Sequence, residues 1–598
     1  MRARAWSLPA ALGAALAAGA VGTAMALAVD ADRGLDLTDE SFYLLGARPW
    51  ADRSAFTGIF GWYLGPWSRL LGDDVAGLRV TGVVLLALAG AWLGHCAVAA
   101  GPLRASWPAR LVAVPAAAGA ALAQYALFLR TPGSGWFAAV GLLLVAAGAV
   151  RLVGEPTGPV WPVAVSLGAG LFVTGVGKVT TGVAATLVVG CAAVVVRAWR
   201  RLAAAGALLG ALVLAHFALV AGPGDTFAAL DRSRQMAAVV DPAHYATANL
   251  PAATGHGLLT VLVAGGSPLA LLALVPLLTL LPAVPDRMAW ATAVPGLVIP
   301  AGVLAARWGT AAGPRAAGTV VIVAAGTATV LAACRVVRHR TGRRALAVVL
   351  LCDGLALAYP LGSNNDYLFM LTGSAGVLVA GAGIALTASA RRWPVDVVLL
   401  GFAGVVAALL VVTGARAAVP YRLLPLAQQS VPTAVVPGTP PLLLDPGTAA
   451  WTAQLRAGAA AAGWRAGIPL LDLSWHPADV LALDGRAPAV LLPSFPQLPS
   501  RGASAQLALS FEDAGRWRDA WLLVPARAGG LPSPDQASAA DVAVRVVGRR
   551  FPGDYERVVT VGTPFDGQRQ TLWRPRDAGA LVVRSPDASG GRERARLP

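Results

Sequence analysis

The chain has 598 residues, 56% of them apolar and 13% charged, with 47 Lys and Arg against 31 Asp and Glu for a formal net charge of +16. Soluble globular proteins carry close to half apolar and about a quarter charged residues, so the composition excludes a soluble protein and points to a polytopic membrane protein. The positive balance is almost wholly arginine. In such a chain arginine fixes the sidedness of loops, and nucleic-acid binding is excluded as the reading of the charge.

Arg2 and Arg4 precede an apolar run from Trp6 to Val29. At about 23 residues the run spans a bilayer, and it reads as an uncleaved signal anchor with a cytoplasmic N-terminus. Further runs of spanning length lie near 78-99, 111-129, 136-153, 160-177, 180-197, 202-222, 257-281, 288-306, 316-334, 345-361, 367-390 and 396-414. They predict a polytopic α-helical membrane protein with about thirteen transmembrane helices over residues 1-414. Alternating sides puts Arg104 and Arg110, Arg197, Arg200 and Arg201, the cluster Arg335 to Arg344, and Arg391 and Arg392 in cytoplasmic loops. The odd count sends everything after Gly414 outside.

The first outward loop, residues 30-77, combines Asp32, Asp36, Asp39, Glu40, Asp52, Asp73 and Asp74 with Phe56, Phe60, Trp62, Tyr63 and Trp67. FTGIFGWYLGPWSRLLG has helical apolar spacing and the Trp/Tyr content of a segment lying along the membrane surface. Solvated acids beside an aromatic belt account for the aromatics and for Asp73 and Asp74. They account less well for Asp39 and Glu40, because adjacent carboxylates at a membrane boundary repel unless a cation or a substrate is there.

The next outward turns are RTPGSG, beginning at Arg130, and GKVTT, which contains Lys178, the only lysine in the chain. Lys178 reads either as a phosphate clamp or as a snorkelling lysine that ends a helix. Residues 222-256 form a longer outward segment whose His244 and His256 lack a compact metal-ligand pattern. Within the spans His95, His216 and Asp353 stand out, the Asp being a functional candidate by default. Asn364, Asn365 and Asp366 make a polar cap between two apolar runs, suited to hydrogen-bonding a sugar or to capping the turn. The four cysteines, Cys96, Cys191, Cys334 and Cys352, lie in apolar runs without CxxC spacing, so neither a disulfide frame nor a zinc motif is indicated.

After a proline-containing linker, 415-435, the alternation of short apolar runs and helical patterns over 436-583 predicts an extracytoplasmic α/β domain. It would recognise the acceptor, shape the site from above, or serve as a structural appendage. The tail, 584-598, has a disordered composition.

The signal anchor, the acidic pair in TDESFYLL, the juxtamembrane aromatic segment and the GDDVAGLRVTGVVLL start of the second span together resemble the polytopic GT-C glycosyltransferases. These lipid-phosphosugar-dependent enzymes include the protein mannosyltransferases and the aminoarabinose transferases of lipid A. The resemblance is carried by roughly the first 100 residues. It implies a plasma-membrane enzyme that moves a sugar from a polyprenyl-phosphate donor to a glycan, lipid or protein acceptor on the outer face. Asp39 matches the family's loop-one acid and would be the general base. Glu40 would orient the acceptor or help hold a divalent cation, the candidate cofactor, although no metal-binding motif is present. Lys178 or Arg130 would meet the donor phosphate. Two other classes stay open: a transporter or flippase of a lipid-linked glycan, which should show internal repeats and midplane charges, and a non-catalytic envelope-assembly scaffold, in which replacing Asp39 should matter little.

Overall fold

The computed structural model describes residues 17–48, 59–100, 107–126, 130–240, 343–361, 370–387, 422–488 and 498–576, apart from a few positions within them. The runs expected near 257-281, 288-306, 316-334 and 396-414 lie outside the described residues, as do most of the N-terminal run, His244, His256, the Asn364, Asn365 and Asp366 cap and the tail.

The described chain is mostly helical. It begins with α1 (Asp39–Gly46), α2 (Phe60–Leu70), α3 (Val75–Ala100), α4 (Trp107–Leu122), α5 (Ser134–Gly154), α6 (Val160–Gly177), α7 (Val179–Val196), α8 (Trp199–Leu219) and α9 (Pro223–Val240), and continues after the undescribed stretch with α10 (Arg343–Ala358) and α11 (Ala375–Thr387). Five of these, α3 and α5 to α8, are long and apolar enough to cross a membrane. Lipid offers backbone groups no partners, so each long apolar run satisfies its own hydrogen bonds as a helix. Small residues then set the spacing between helices. On α3, Gly90 and Gly94 form a GxxxG face against α4, and a Cβ on Gly90 would lie 2.6 Å from the Ala117 carbonyl oxygen.

The amphipathic α2 is pinned to the end of α8. Tyr63 Oη lies 2.7 Å from His216 Nδ1, His216 Nε2 lies 3.0 Å from Thr226 Oγ1, and the Trp62 ring stacks on the imidazole at 5.7 Å. Both ring nitrogens of His216 are therefore engaged in joining α2, α8 and α9. His95 stacks on Trp92, whose indole N–H donates to Ser166 Oγ at 2.9 Å, so this histidine sits in a helix contact. Asp353 is half-buried on α10, about 9 Å along the helix from Tyr359.

Past residue 422 come β1 (Val431–Thr433), β2 (Leu442–Leu444), α12 (Pro446–Ala461), β3 (Leu470–Asp472), α13 (Ala478–Leu483), α14 (Leu498–Ser510), β4 (Trp521–Ala526), α15 (Pro534–Arg545), β5 (Tyr555–Gly562) and β6 (Arg569–Pro575). β1 and β2 pair antiparallel, and a four-stranded sheet has the order β3-β4-β6-β5, with β3 and β4 parallel and the other neighbours antiparallel. Side chains alternate between its two faces. Leu471, Leu522, Val524 and Trp573 join Ala505, Leu509, Ala540 and Val544 of α14 and α15 on one face, whereas Leu470, Trp521, Leu523 and Leu572 on the other belong to a core continuous with loop one and the helical bundle. The sheet is thus covered on both sides, on the second by α12 and α13, and α13 packs in turn against α1.

Candidate active site

The turn before α1 is built from its own side chains. Asp36 Oδ1 accepts from the Thr38 N–H at 2.6 Å and from Thr38 Oγ1 at 2.7 Å, Ser41 Oγ donates to the Asp36 carbonyl at 2.6 Å, and the Asp36 N–H donates to Glu40 Oε2 at 3.0 Å. Glu40 is also the ligand of a buried guanidinium. Arg79, 2% exposed near the start of α3, meets it with Nε 3.0 Å from Oε1 and Nη2 2.9 Å from Oε2. The remaining Arg79 donors go to the Ala31, Arg33 and Gly34 carbonyls. Thr131 adds a hydroxyl bond to Oε1 at 2.6 Å. A bidentate Arg pair is the arrangement in which a buried carboxylate is best compensated. Burial alone would raise the Glu40 carboxyl, but Arg79 and the bonds from Thr131 and the Asp36 N–H outweigh it and hold the group below its ordinary range.

Glu40 therefore departs from the role read for it. Both its oxygens are used inside the fold, which leaves no face for orienting an acceptor or holding a cation. Adjacent Asp39 points elsewhere, because successive residues on a helix are turned by roughly 100°. Asp39 is partly exposed, and its carboxylate accepts no hydrogen bond from a described residue. Burial pushes it up to about 6. Asp36, 3% exposed, is raised well above the carboxylate range by burial, then by the charges of Asp39 and Glu40, against the opposing bonds from Thr38. Within the turn burial thus disfavours the anion at Asp36, whereas Arg79 keeps Glu40 ionised.

One turn along α1, Tyr43 faces Asp39. Burial and the charge of Asp39 raise its phenol, which lies beside Ser134 and within electrostatic reach of Tyr359. The RTPGSG turn comes this close because Gly133 has no side chain, a Cβ there colliding with the Tyr43 ring. Tyr359 Oη donates to the Gly135 carbonyl at 3.2 Å, and Lys178 Nζ lies 5.1 Å from the centre of the Tyr359 ring. Asp39, Tyr43, Tyr359 and Lys178 thus follow one another across the same end of the bundle. Lys178 ends α6 and starts α7, so the sole lysine marks a tight turn between two spans, and its Nζ is shielded with no hydrogen-bond partner among the described residues. Burial lowers it to about 8.

Arg130 is drawn into loop one. It is 5% exposed, donates through Nη1 to the Asp30 carbonyl, and is lowered to about 9 by burial and by the nearby Arg79 and Arg422. Arg422, at the start of the C-terminal region, is within electrostatic reach of Glu40, Asp36 and Asp30, and burial lowers it too. It rests on Gly34, which has a left-handed φ of 69° and lacks room for a Cβ.

The sequence-read residues Asp39, Glu40, Arg130 and Lys178 are brought together. Arg79, Thr131, Tyr43, Tyr359 and Arg422 complete the cluster and were not singled out from sequence. For Arg79 a signal existed, an arginine one turn into an apolar run. Among the described residues no set of three His, Cys, Asp or Glu side chains converges on an ion-sized site. Chemically, the arrangement offers an accessible carboxylate of raised basicity and, across two tyrosines, a shielded ammonium. Comparison of the chain with protein-family models, with curated proteins and with solved structures gives no match.

Proposed function

We propose that the chain is a membrane glycosyltransferase that moves a sugar from a polyprenyl-phosphate donor to an acceptor hydroxyl on the extracytoplasmic face, with Asp39 as general base. The observation that carries this reading is the division of labour within one turn: Glu40 is fixed by Arg79 and Thr131, Asp36 is held by Thr38, and Asp39 alone is open. A base works best with a pKa near the working pH, and about 6 leaves Asp39 ionised at neutrality while keeping it basic. In the proposed step the acceptor O–H gives its proton to Asp39, the oxygen bonds to the anomeric carbon, and the sugar–phosphate bond breaks. The lipid phosphate leaves with the electron pair, and the Lys178 ammonium answers its charge.

The same reading includes about thirteen spans in the plasma membrane, a cytoplasmic N-terminus and an outer C-terminal domain. Its support is a segregation of charge. Loop one, Lys178 and the C-terminal sheet share one end of the bundle, whereas Arg110, Arg151, Arg197, Arg200, Arg201, Arg343 and Arg344 lie toward the helix ends remote from it. Arginine clusters at loop ends belong inside.

The test is transfer from a labelled polyprenyl-phosphate sugar in membranes. Asp39→Asn is expected to lower turnover by roughly 10²–10⁴-fold, the range for loss of a general base, with insertion and donor binding retained. The wild-type rate is expected to rise through about pH 6 and level off above it, as Asp39 ionises. Near-normal turnover in Asp39→Asn overturns the assignment.

A further inference from the structure

Among the described residues the C-terminal domain is bonded to loop one at three places, and these enclose the residues on either side of Asp39. Residues 32–34 run beside β2, where the Leu443 N–H donates to the Asp32 carbonyl at 2.7 Å and the Gly34 N–H donates to the Leu443 carbonyl at 2.8 Å. Just before α1, the Ala478 N–H donates to the Leu37 carbonyl at 3.1 Å. Just after α1, Arg48 Nη2 meets Asp484 Oδ1 at 2.6 Å, with side chains only 16% and 20% exposed. The helices α1 and α13 therefore lie side by side in the same direction, tied at both ends.

The backbone of Asp484 is an independent observation. It closes α13 in the left-handed conformation, φ 48°, with the Gly485 N–H returning to the Val480 carbonyl at 2.9 Å. Glycine ends a helix in this way without steric strain, and an Asp does not. Among the described residues, the strained position carries the one carboxylate that reaches Arg48. Behind α13, Asp479 is fully buried and accepts from Ser474 Oγ at 3.0 Å and Gln570 Nε2 at 2.5 Å, which fixes the short helix to the turn after β3 and to β6.

We infer that the C-terminal domain is a positioning clamp for the Asp39 helix, with Arg48 and Asp484 as the positioning residues. The domain then acts on Asp39 by seating its helix, and the activity consequence rests on Asp39 being the base.

The experiment is hydrogen exchange on the full-length protein in detergent. Asp484→Gly keeps the left-handed turn and removes only the carboxylate, and Arg48→Gln removes the other partner without touching the domain. Both are expected to speed exchange of the amides from Ser41 to Arg48 by about tenfold, the effect of one lost charge-assisted hydrogen bond, while β4 stays protected and Arg48→Lys retains most of the protection. In the transfer assay, both are expected to lower kcat about tenfold with donor KM unchanged, with Arg48→Lys recovering most of the rate. Unchanged exchange over α1 in Arg48→Gln overturns the clamp. Faster exchange with an intact kcat overturns the positioning role. Faster exchange in a protein whose wild type transfers no sugar upholds the clamp and removes the glycosyltransferase reading instead.

Discussion

Two neighbouring carboxylates are expected to respond to amidation with opposite signs. In Glu40→Gln the new amide can still accept at Oε1 from Arg79 Nε and from Thr131 Oγ1. Its NH₂ group, however, replaces the oxygen that accepts from the Asp36 N–H at 3.0 Å and pairs with Arg79 Nη2 at 2.9 Å. Two acceptor contacts become donor–donor contacts, and Arg79, 2% exposed, loses its counter-charge. Breaking a buried pair from one side costs about 3–5 kcal/mol. Asp39→Asn should do the reverse. Because folding raises Asp39 from 3.8 to about 6, the folded state holds its proton longer than the unfolded chain, and stability is lost as pH rises through that window. Above pH 6 the loss is complete, so an amide there removes an unfavourable charge and breaks no bond. Thermal unfolding of the purified protein at pH 7.5 is the assay. Glu40→Gln is expected to melt several degrees lower and Asp39→Asn at or above wild type. If Asp39→Asn melts lower than Glu40→Gln, the division of roles within this turn is wrong. Glu40 has its own acid limb of the opposite sense: its folded value lies below 4.5, so its stabilisation is present above that pH and fades as pH falls through the lowered value.

Lys178→Ala is expected to weaken use of the labelled donor while leaving melting at pH 7.5 nearly unchanged, because the shielded ammonium makes only a ring contact with Tyr359 among the described residues. Failure of the variant to insert would favour a purely structural lysine. Reporter fusions test sidedness: an outside-only reporter is expected to be active after Gly414 and silent after Arg344, and the opposite pattern would sink the topology.

Five long apolar helices were legible because an apolar run of sufficient length satisfies its backbone hydrogen bonds internally as a helix. The runs read at 160-177 and 180-197 fold as Val160–Gly177 and Val179–Val196. The run read at 111-129 yields a helix only to Leu122, followed by a 3₁₀ turn at Ala123–Ala126 that prepares the chain to reverse into the Arg130 loop. In the C-terminal region, where short apolar runs were expected to alternate with helical patterns, ERVVTVG and RQTLW form the antiparallel pair β5 and β6. The helix α12 starts at Pro446. Its cap is Asp445, which accepts from the Thr448 N–H at 2.8 Å, with proline in the first turn. The helix α14 ends at Ser510, and a 3₁₀ turn follows at Ala514–Trp517, capped by Asp513.

The site was legible in its residue types and not in their roles. Adjacent carboxylates need a reason to coexist, and that reason, Arg79, lies 39 residues away and becomes a neighbour only when α3 folds against loop one. Thr131 is more distant still, and nothing local to DLTDESFY separates the carboxylate that will be clamped from the one that will stay open. The tertiary structure makes the choice through helix phase. It sets Glu40 inward toward Arg79 and leaves Asp39 at the surface of the same turn.

The resulting charge state is a reason to look for a substrate between Asp39 and Lys178. Burial moves both groups toward neutrality, the carboxyl upward to about 6 and the ammonium downward to about 8, and between those values both are charged. Neither has an ion-pair partner among the described residues, although opposite charges at contact distance would each have relieved the cost of burial. Two tyrosines, Tyr43 and Tyr359, lie between them, and burial raises the Tyr43 phenol so that it stays protonated. A ligand with a hydroxyl at one end and a phosphate at the other would satisfy the two charges at once, and the tyrosines would lie along its length. In that arrangement, removing either charge should weaken the response to removing the other. The double variant Asp39→Asn with Lys178→Ala is then expected to lose less transfer than the product of the two single losses.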